Sequence, residues 1–188
     1  MPERSTWDDR HAEALRSGDY PRDPPAFLLA HAADLPAGGR ALEIAAGLGR
    51  NTFWLAERGL DVIAVDASAV AVAHIAEHAR ARGLPIDARV LDLPKRPLPA
   101  GPFDLIVNTL FLERSLAPEI EQRLRPGGLL VFVTLLENGS GPPVVHPEYR
   151  LRRGELAGLF PSLGTIDLRE DPADAQRPLS SLLARRSA

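Results

Sequence analysis

The residues best suited to chemistry lie where apolar runs end. Glu43-Ile44-Ala45-Ala46-Gly47-Leu48-Gly49-Arg50-Asn51 puts two glycines at the point where a strand pattern gives way to a helical one. Glycine there lets the backbone approach a ligand closely, and the free N–H groups at the start of the helix favour an anionic group such as a carboxylate. The same segment also fits an ordinary strand-to-helix turn. Asp66 ends the next apolar run, 19 residues after Gly47. A carboxylate at that place can accept hydrogen bonds from the 2′- and 3′-hydroxyls of a ribose; the plainer alternative is a cap on the helix that follows. Asp92 ends a third apolar run, where it can accept from an adenine amino group while the Leu93 backbone reads the ring edge. A simple turn aspartate is the alternative there.

Other chemistries are excluded or weakened by composition. The absence of cysteine removes disulfides, thiolate zinc sites and thiol nucleophiles. His74-Ile75-Ala76-Glu77-His78 matches a metalloprotease-type pattern, but Val72, Ile75 and Ala79 form the apolar face of that helix and turn the histidines to its flank. No third acidic ligand stands out, so no metal is expected. A net charge of -3 gives no general attraction to nucleic acid or anionic membrane. The N-terminal stretch with Glu3, Arg4, Asp8, Asp9 and Arg10 lacks the apolar core of a signal peptide, and the longest apolar run, Leu129 to Leu136, is far below the roughly 20 residues that span a bilayer. The expectation is a cytoplasmic protein without a membrane segment.

The elements that must hold these residues alternate between short apolar runs and helical patterns, the signature of βαβ units around a mostly parallel sheet. The pattern predicts a helix over Pro24 to Leu35, strands at Arg40 to Ala45, Leu60 to Val65 and Ile86 to Leu91, and helices at Asn51 to Arg58 and from Ser68 to near Gly83. Prolines 94, 97, 99 and 102 force an irregular loop between Asp92 and Pro102. Strands follow at Phe103 to Leu110 and, behind the turn Arg125-Pro126-Gly127-Gly128, at Gly128 to Leu136, with a helix at Ala117 to Leu124 between them. A Gly/Pro-rich loop over Asn138 to Pro147, a helix at Arg153 to Phe160 and strands at Gly164 to Arg169 and Leu179 to Arg185 complete the chain. With 188 residues the expectation is one domain. Residues 1–36 form an N-terminal helical lid, 40–136 a cofactor-binding core, and 137–188 a lid loop, a short helix and two final strands.

Glu43 to Asn51, Asp66 to Ser68, Asp92-Leu93, Phe103 to Asn108 and Arg125 to Gly128 together resemble, in order, the motif series of the class I S-adenosylmethionine-dependent methyltransferases. Gly49-Arg50-Asn51, Leu55-Ala56-Glu57-Arg58-Gly59 and Trp7-Asp8-Asp9-Arg10 resemble its tellurite-resistance-type branch. The resemblance implies an α/β, Rossmann-like doubly wound sheet of about seven strands, mostly parallel with an antiparallel last strand. It also implies S-adenosylmethionine as cofactor, held by Glu43, Ala45, Gly47, Gly49, Arg50, Asn51, Asp66, Ala67, Asp92, Leu93 and Asn108. The family usually has Asp where this chain has Glu43, and Gly where it has Ala45. Glu43 is expected to reach an ammonium through its extra methylene, and Ala45 to add a methyl under the methionine. Asn108-Thr109-Leu110-Phe111 lacks the two prolines of the adenine-N6 methyltransferase motif, which disfavours DNA. Short connections favour a small-molecule acceptor, methylated by in-line displacement. A general base is optional in that reaction; His11, Tyr20, His146 and Tyr149 are the candidates because they lie in flanking segments. Two rivals remain: a nicotinamide-dependent oxidoreductase, although Thr52 stands where its fingerprint needs a third small residue, and an S-adenosylmethionine-binding protein without activity. Oligomeric state is not legible.

Overall fold

Runs of branched and apolar residues separated by helices fold here into a single sheet. The computed structural model describes residues 4–93, 95–137, 147–172, 175 and 177–187. Its strands are β1 (Gly39–Ile44), β2 (Leu60–Asp66), β3 (Ile86–Val90), β4 (Phe103–Thr109), β5 (Leu124–Leu135), β6 (Leu163–Glu170) and β7 (Leu179–Arg186). They are ordered β3-β2-β1-β4-β5-β7-β6. The helices are α1 (Arg4–Ser17), α2 (Ala26–Ala30), α3 (Arg50–Glu57), α4 (Ala69–Arg82), α5 (Ala117–Arg123) and α6 (Glu155–Leu159). No helix among the described residues is long and apolar enough to cross a membrane.

Residues up to Pro99 form one compact unit and residues from Ala100 onward a second. In the first, β2 pairs in parallel with β1, where Glu43 faces Ala64, and with β3, where Asp66 faces Val90. Parallel pairing needs crossover helices, and α3 and α4 supply them. As the spacing predicts, α4 buries Val72, Ile75 and Ala79, together with Ala71. In the second unit β4 and β5 are parallel, while β7 runs antiparallel to both β5 and β6. The antiparallel last strand expected from the resemblance is therefore present.

Two segments differ from the sequence expectation. The helix predicted over Pro24 to Leu35 is α-helical only from Ala26 to Ala30; Ala32 and Asp34 then donate to carbonyls three residues back, in turns. The long N-terminal helix is α1 instead, which has neither proline nor glycine and ends where Gly18 donates to the Ala14 carbonyl. The fifth strand starts at Leu124 rather than Gly128. Phe103 faces Leu124 but Leu105 faces Leu129, so the turn residues Arg125 to Gly128 form an irregularity inside the ladder instead of preceding it.

Candidate functional site

At the carboxyl end of β2 the Asp66 carboxylate organises the first unit. One oxygen accepts the Gly47 N–H at 2.8 Å and the other the Ser68 N–H at 2.8 Å. Gly47 sits at φ +54, a left-handed conformation that glycine adopts without a Cβ penalty. Its N–H is thereby turned to the acid at the end of the neighbouring strand. An ionised carboxylate offers about four acceptor sites, so each oxygen keeps one beyond these backbone bonds. Asp66 is 9% exposed.

Behind the turn, Glu43 is 1% exposed. It accepts from Asn51 Nδ2 at 2.8 Å and from the Thr52 hydroxyl. Burial pushes its pKa up to about 7; the hydrogen bonds from Thr52 and Asn51 and the Arg50 charge oppose that rise, and Asp66 adds to it. Both oxygens thus engage the first turn of α3. The carboxylate that the sequence reading extends toward an ammonium lies instead among protein groups. Thr52, the residue that breaks the nicotinamide fingerprint, holds this acid. Ala45 takes φ +53, a left-handed conformation that favours glycine.

Gly49 caps α3 at φ +85, and a Cβ there would stand 2.8 Å from Ile75 Cγ1 and 2.9 Å from Phe53 Cε2. What its bare backbone admits is thus the contact between α3 and α4. Arg50 opens α3 and Ala67 follows Asp66, both partly buried. The Leu91 N–H donates to the Asp66 carbonyl at 2.8 Å, which brings the start of the Asp92-Leu93 turn to the end of β2. Leu93 is buried, whereas the Asp92 side chain is 40% exposed and paired with Lys95 at 2.8 Å. Asn108, in the second unit, is 1% exposed; its Nδ2 donates to the Phe111 carbonyl at 2.8 Å, and its Oδ1 has no partner among the described residues.

Of the flanking candidates, the structure brings His11 to the glycine turn: its Nε2 lies 3.7 Å from the place a Cβ on Gly47 would take. Tyr20 turns elsewhere, its ring edge-on to His74 at 6.2 Å and beneath the Arg22 guanidinium. Tyr149 belongs to the second unit, and its phenol is held above the ordinary value by desolvation and then by Glu148, the reverse of what a base at neutral pH requires. His146 lies outside the described residues. His74 and His78 stack at 4.1 Å, and the His78 Nδ1 donates to the His74 carbonyl. No cluster of three metal-ligating side chains occurs among the described residues.

Two anchors escaped the sequence reading. Asp8 accepts from the Ser68 hydroxyl at 2.6 Å and from the Val70 N–H at 3.2 Å, so α1 caps α4 from outside. Ser68 itself accepts from Ala71, and the two caps satisfy donors that the helix cannot. In the second unit Arg114 pairs with Glu155 and donates to the carbonyls of Glu148 and Arg150. It holds the segment that follows the Gly/Pro-rich stretch. The only signals were an acid on the first helix and an arginine soon after β4, and neither names a partner.

Residues 41–128 match a family model described as a methyltransferase domain. Over 128 residues, 64% of this chain, the sequence is 29% identical to Hemagglutinin 1 of Eikenella corrodens and covers 42% of that protein. The chain spans less than half the length of the curated relatives it matches. In fold it is similar to TehB from Haemophilus influenzae, with a TM-score of 0.77 at 18% identity, covering 96% of this chain and 67% of that one. It is also similar to the 1,6-didemethyltoxoflavin-N1-methyltransferase of Burkholderia thailandensis, solved with its substrate and S-adenosylhomocysteine, with a TM-score of 0.73 at 21% identity over 98% and 87% of the two chains. Residues 41–128 thus match a methyltransferase domain, and the seven-stranded order is the fold of the S-adenosylmethionine-dependent methyltransferases to which the chain is similar.

Proposed function

We propose that this protein transfers the methyl group of S-adenosylmethionine to a small-molecule acceptor. The observation that carries the reading is the Asp66 carboxylate, fixed by the Gly47 and Ser68 N–H groups with an acceptor site left on each oxygen. That is the arrangement a ribose diol needs. Bound there, the cofactor would supply an electrophilic methyl carbon on a sulfonium, open to in-line attack by the acceptor's lone pair with the thioether S-adenosylhomocysteine as the leaving group. The protein's part is to align the two and exclude water. Asp66 would hold the ribose, the turn through Gly47 would give the rest of the cofactor close passage, and Asp92 with Leu93 would border the adenine. Glu43 is a positioning residue in this scheme, fixing the start of α3 through Asn51 and Thr52. Support for a small acceptor comes from the short connections between elements and from the Burkholderia neighbour, which was solved with 1,6-didemethyltoxoflavin bound.

Calorimetric titration with S-adenosylmethionine, S-adenosylhomocysteine and NAD tests the proposal. Saturable binding of the first two, weakened in Asp66→Ala, is the expected result. Binding of NAD in their place would sink it. Loss of methyl from the cofactor in the presence of candidate acceptors then separates an enzyme from an inactive binder.

A further inference from the structure

Among the described residues β3 is an outer strand, bonded to β2 on one side only. The Val62 N–H donates to the Pro85 carbonyl at 2.9 Å and the Leu91 N–H to the Asp66 carbonyl at 2.8 Å. Alternate residues from 85 to 91 therefore turn their backbone groups to β2, and Ile86, Ala88 and Val90 turn theirs to the free edge. The side chains alternate as well. Ile86 and Ala88 pack against the cluster of Ala46, Ala64 and Ile75, and Val90, on the same face, is 43% exposed. Asp87 and Arg89 lie on the other face, exposed and paired with each other at 2.9 Å. A row of open donors and acceptors is a template for another strand, which proteins commonly blunt with bulges or prolines. β3 has neither: its register with β2 is continuous from Ile86 to Val90.

The strand Ile86-Asp87-Ala88-Arg89-Val90 is complementary to itself when a second copy runs antiparallel to it. With a two-fold axis at Ala88, Ile86 faces Val90 on the apolar side, and on the other side Asp87 faces Arg89, each contact occurring twice. The two Ala88 residues exchange N–H and carbonyl bonds, and each Val90 N–H donates to the Ile86 carbonyl of the other copy. The Ile86 N–H is already given to the Leu84 carbonyl. Outward groups must meet outward groups, so the nearest other registers put the axis at Asp87 or at Arg89. Both set like charges directly opposite each other, which disfavours them. We propose that β3 is the pairing edge of a homodimer, in which two copies of this chain join their β3 strands antiparallel about Ala88. A second copy supplies by symmetry the arginine opposite Asp87, the acid opposite Arg89 and the apolar neighbour for Val90. The other outer strand, β6, also spaces Asp167 and Arg169 by two. Its register with β7 shifts between Thr165 and Asp167, however, and the same symmetry there would set Ile166 against Glu170.

The test is sedimentation velocity of the full chain at about 1 to 100 µM, a range chosen because two short strands make an interface at the low end of sizes. The unaltered chain is expected to show a species of twice its mass that grows with concentration. Asp87→Arg and Arg89→Asp each place like charges opposite one another at both cross-strand contacts, and each weakens the dimer about tenfold or more. Mixed in equal amounts, the two variants recover it, because the two cations of one chain then face the two acids of the other. The double variant Asp87→Arg/Arg89→Asp restores the opposite pairs within one sequence, and gives the same reading should either single variant fail to fold; circular dichroism melting checks folding throughout. An unaltered chain that stays monomeric at the highest concentration, single variants that dimerise as the parent does, or a mixture and a double variant no larger than the single variants overturns the assignment. Binding of S-adenosylmethionine has no part in this test, so its outcome is separate from that of the cofactor reading.

Discussion

Replacing Glu43 with Gln should stabilise this protein above neutral pH and leave it nearly unchanged in mild acid. The native carboxyl is pushed up to about 7 from an ordinary value of 4.5, mainly because burial disfavours its charged form. A raised folded pKa means that the native state holds a proton which the unfolded state has released. The stabilising contribution is therefore complete below about pH 4.5 and is lost as pH rises through about 7. At about 1.4 kcal/mol per pKa unit the full loss amounts to about 3 kcal/mol. Glutamine keeps the shape and cannot ionise: its carbonyl can accept from Asn51 Nδ2 and its amide can donate to the Thr52 hydroxyl, whose own proton is then free to turn. Urea unfolding of both proteins without cofactor, followed by fluorescence of Trp7 and Trp54, gives the difference directly, since other titrating groups cancel between them. We expect a gap of about 0 at pH 4.5 that opens to about 3 kcal/mol in favour of Glu43→Gln at pH 8.5. A variant less stable than the parent at pH 8.5, or a gap that does not change with pH, would refute the assignment of a buried, proton-holding Glu43.

Three further outcomes follow from the same geometry. Ala45→Gly relieves a left-handed residue at a gain of about 1–2 kcal/mol, offset by about 0.4–1 kcal/mol of added unfolded-state entropy, so thermal melting should show a small net stabilisation. Asp8→Ala removes the outer cap on α4; a loss of about 1–2 kcal/mol and faster tryptic cleavage at Arg10 and Arg16, with the strands still protected in hydrogen exchange, is expected. Arg114→Lys cannot reproduce the paired contacts to Glu155 together with two carbonyls, so amide exchange across residues 148–155 should accelerate as much as in Arg114→Ala. Arg114 also holds the Glu155 carboxyl below its ordinary value, so that pair's contribution is present above the usual carboxylate range and is lost as pH falls through the depressed value.

The sequence by itself determined what depends on neighbours along the chain. The period of Val72, Ile75 and Ala79 turned α4 toward the sheet, Pro97, Pro99 and Pro102 kept residues 95–102 out of regular structure, and acids near strand ends marked Asp66 and Asp92. These signals are local because the pitch of a helix, the pleat of a strand and the missing donor of proline are local. The tertiary structure decided what depends on which distant groups meet. Nothing in the order of residues says that Glu43 spends its oxygens on Asn51 and Thr52, that Gly49 makes room for Ile75, or that Asp8 closes the end of a helix about 60 residues away. The two glycines looked alike in sequence and differ in use: Gly47 turns an N–H to Asp66, and Gly49 lets two helices touch. His11, one of four equivalent flanking candidates in the sequence, acquires its place because α1 docks beside Gly47. Burial of an atom and the partner it finds are properties of the packed chain, which the order of residues does not carry.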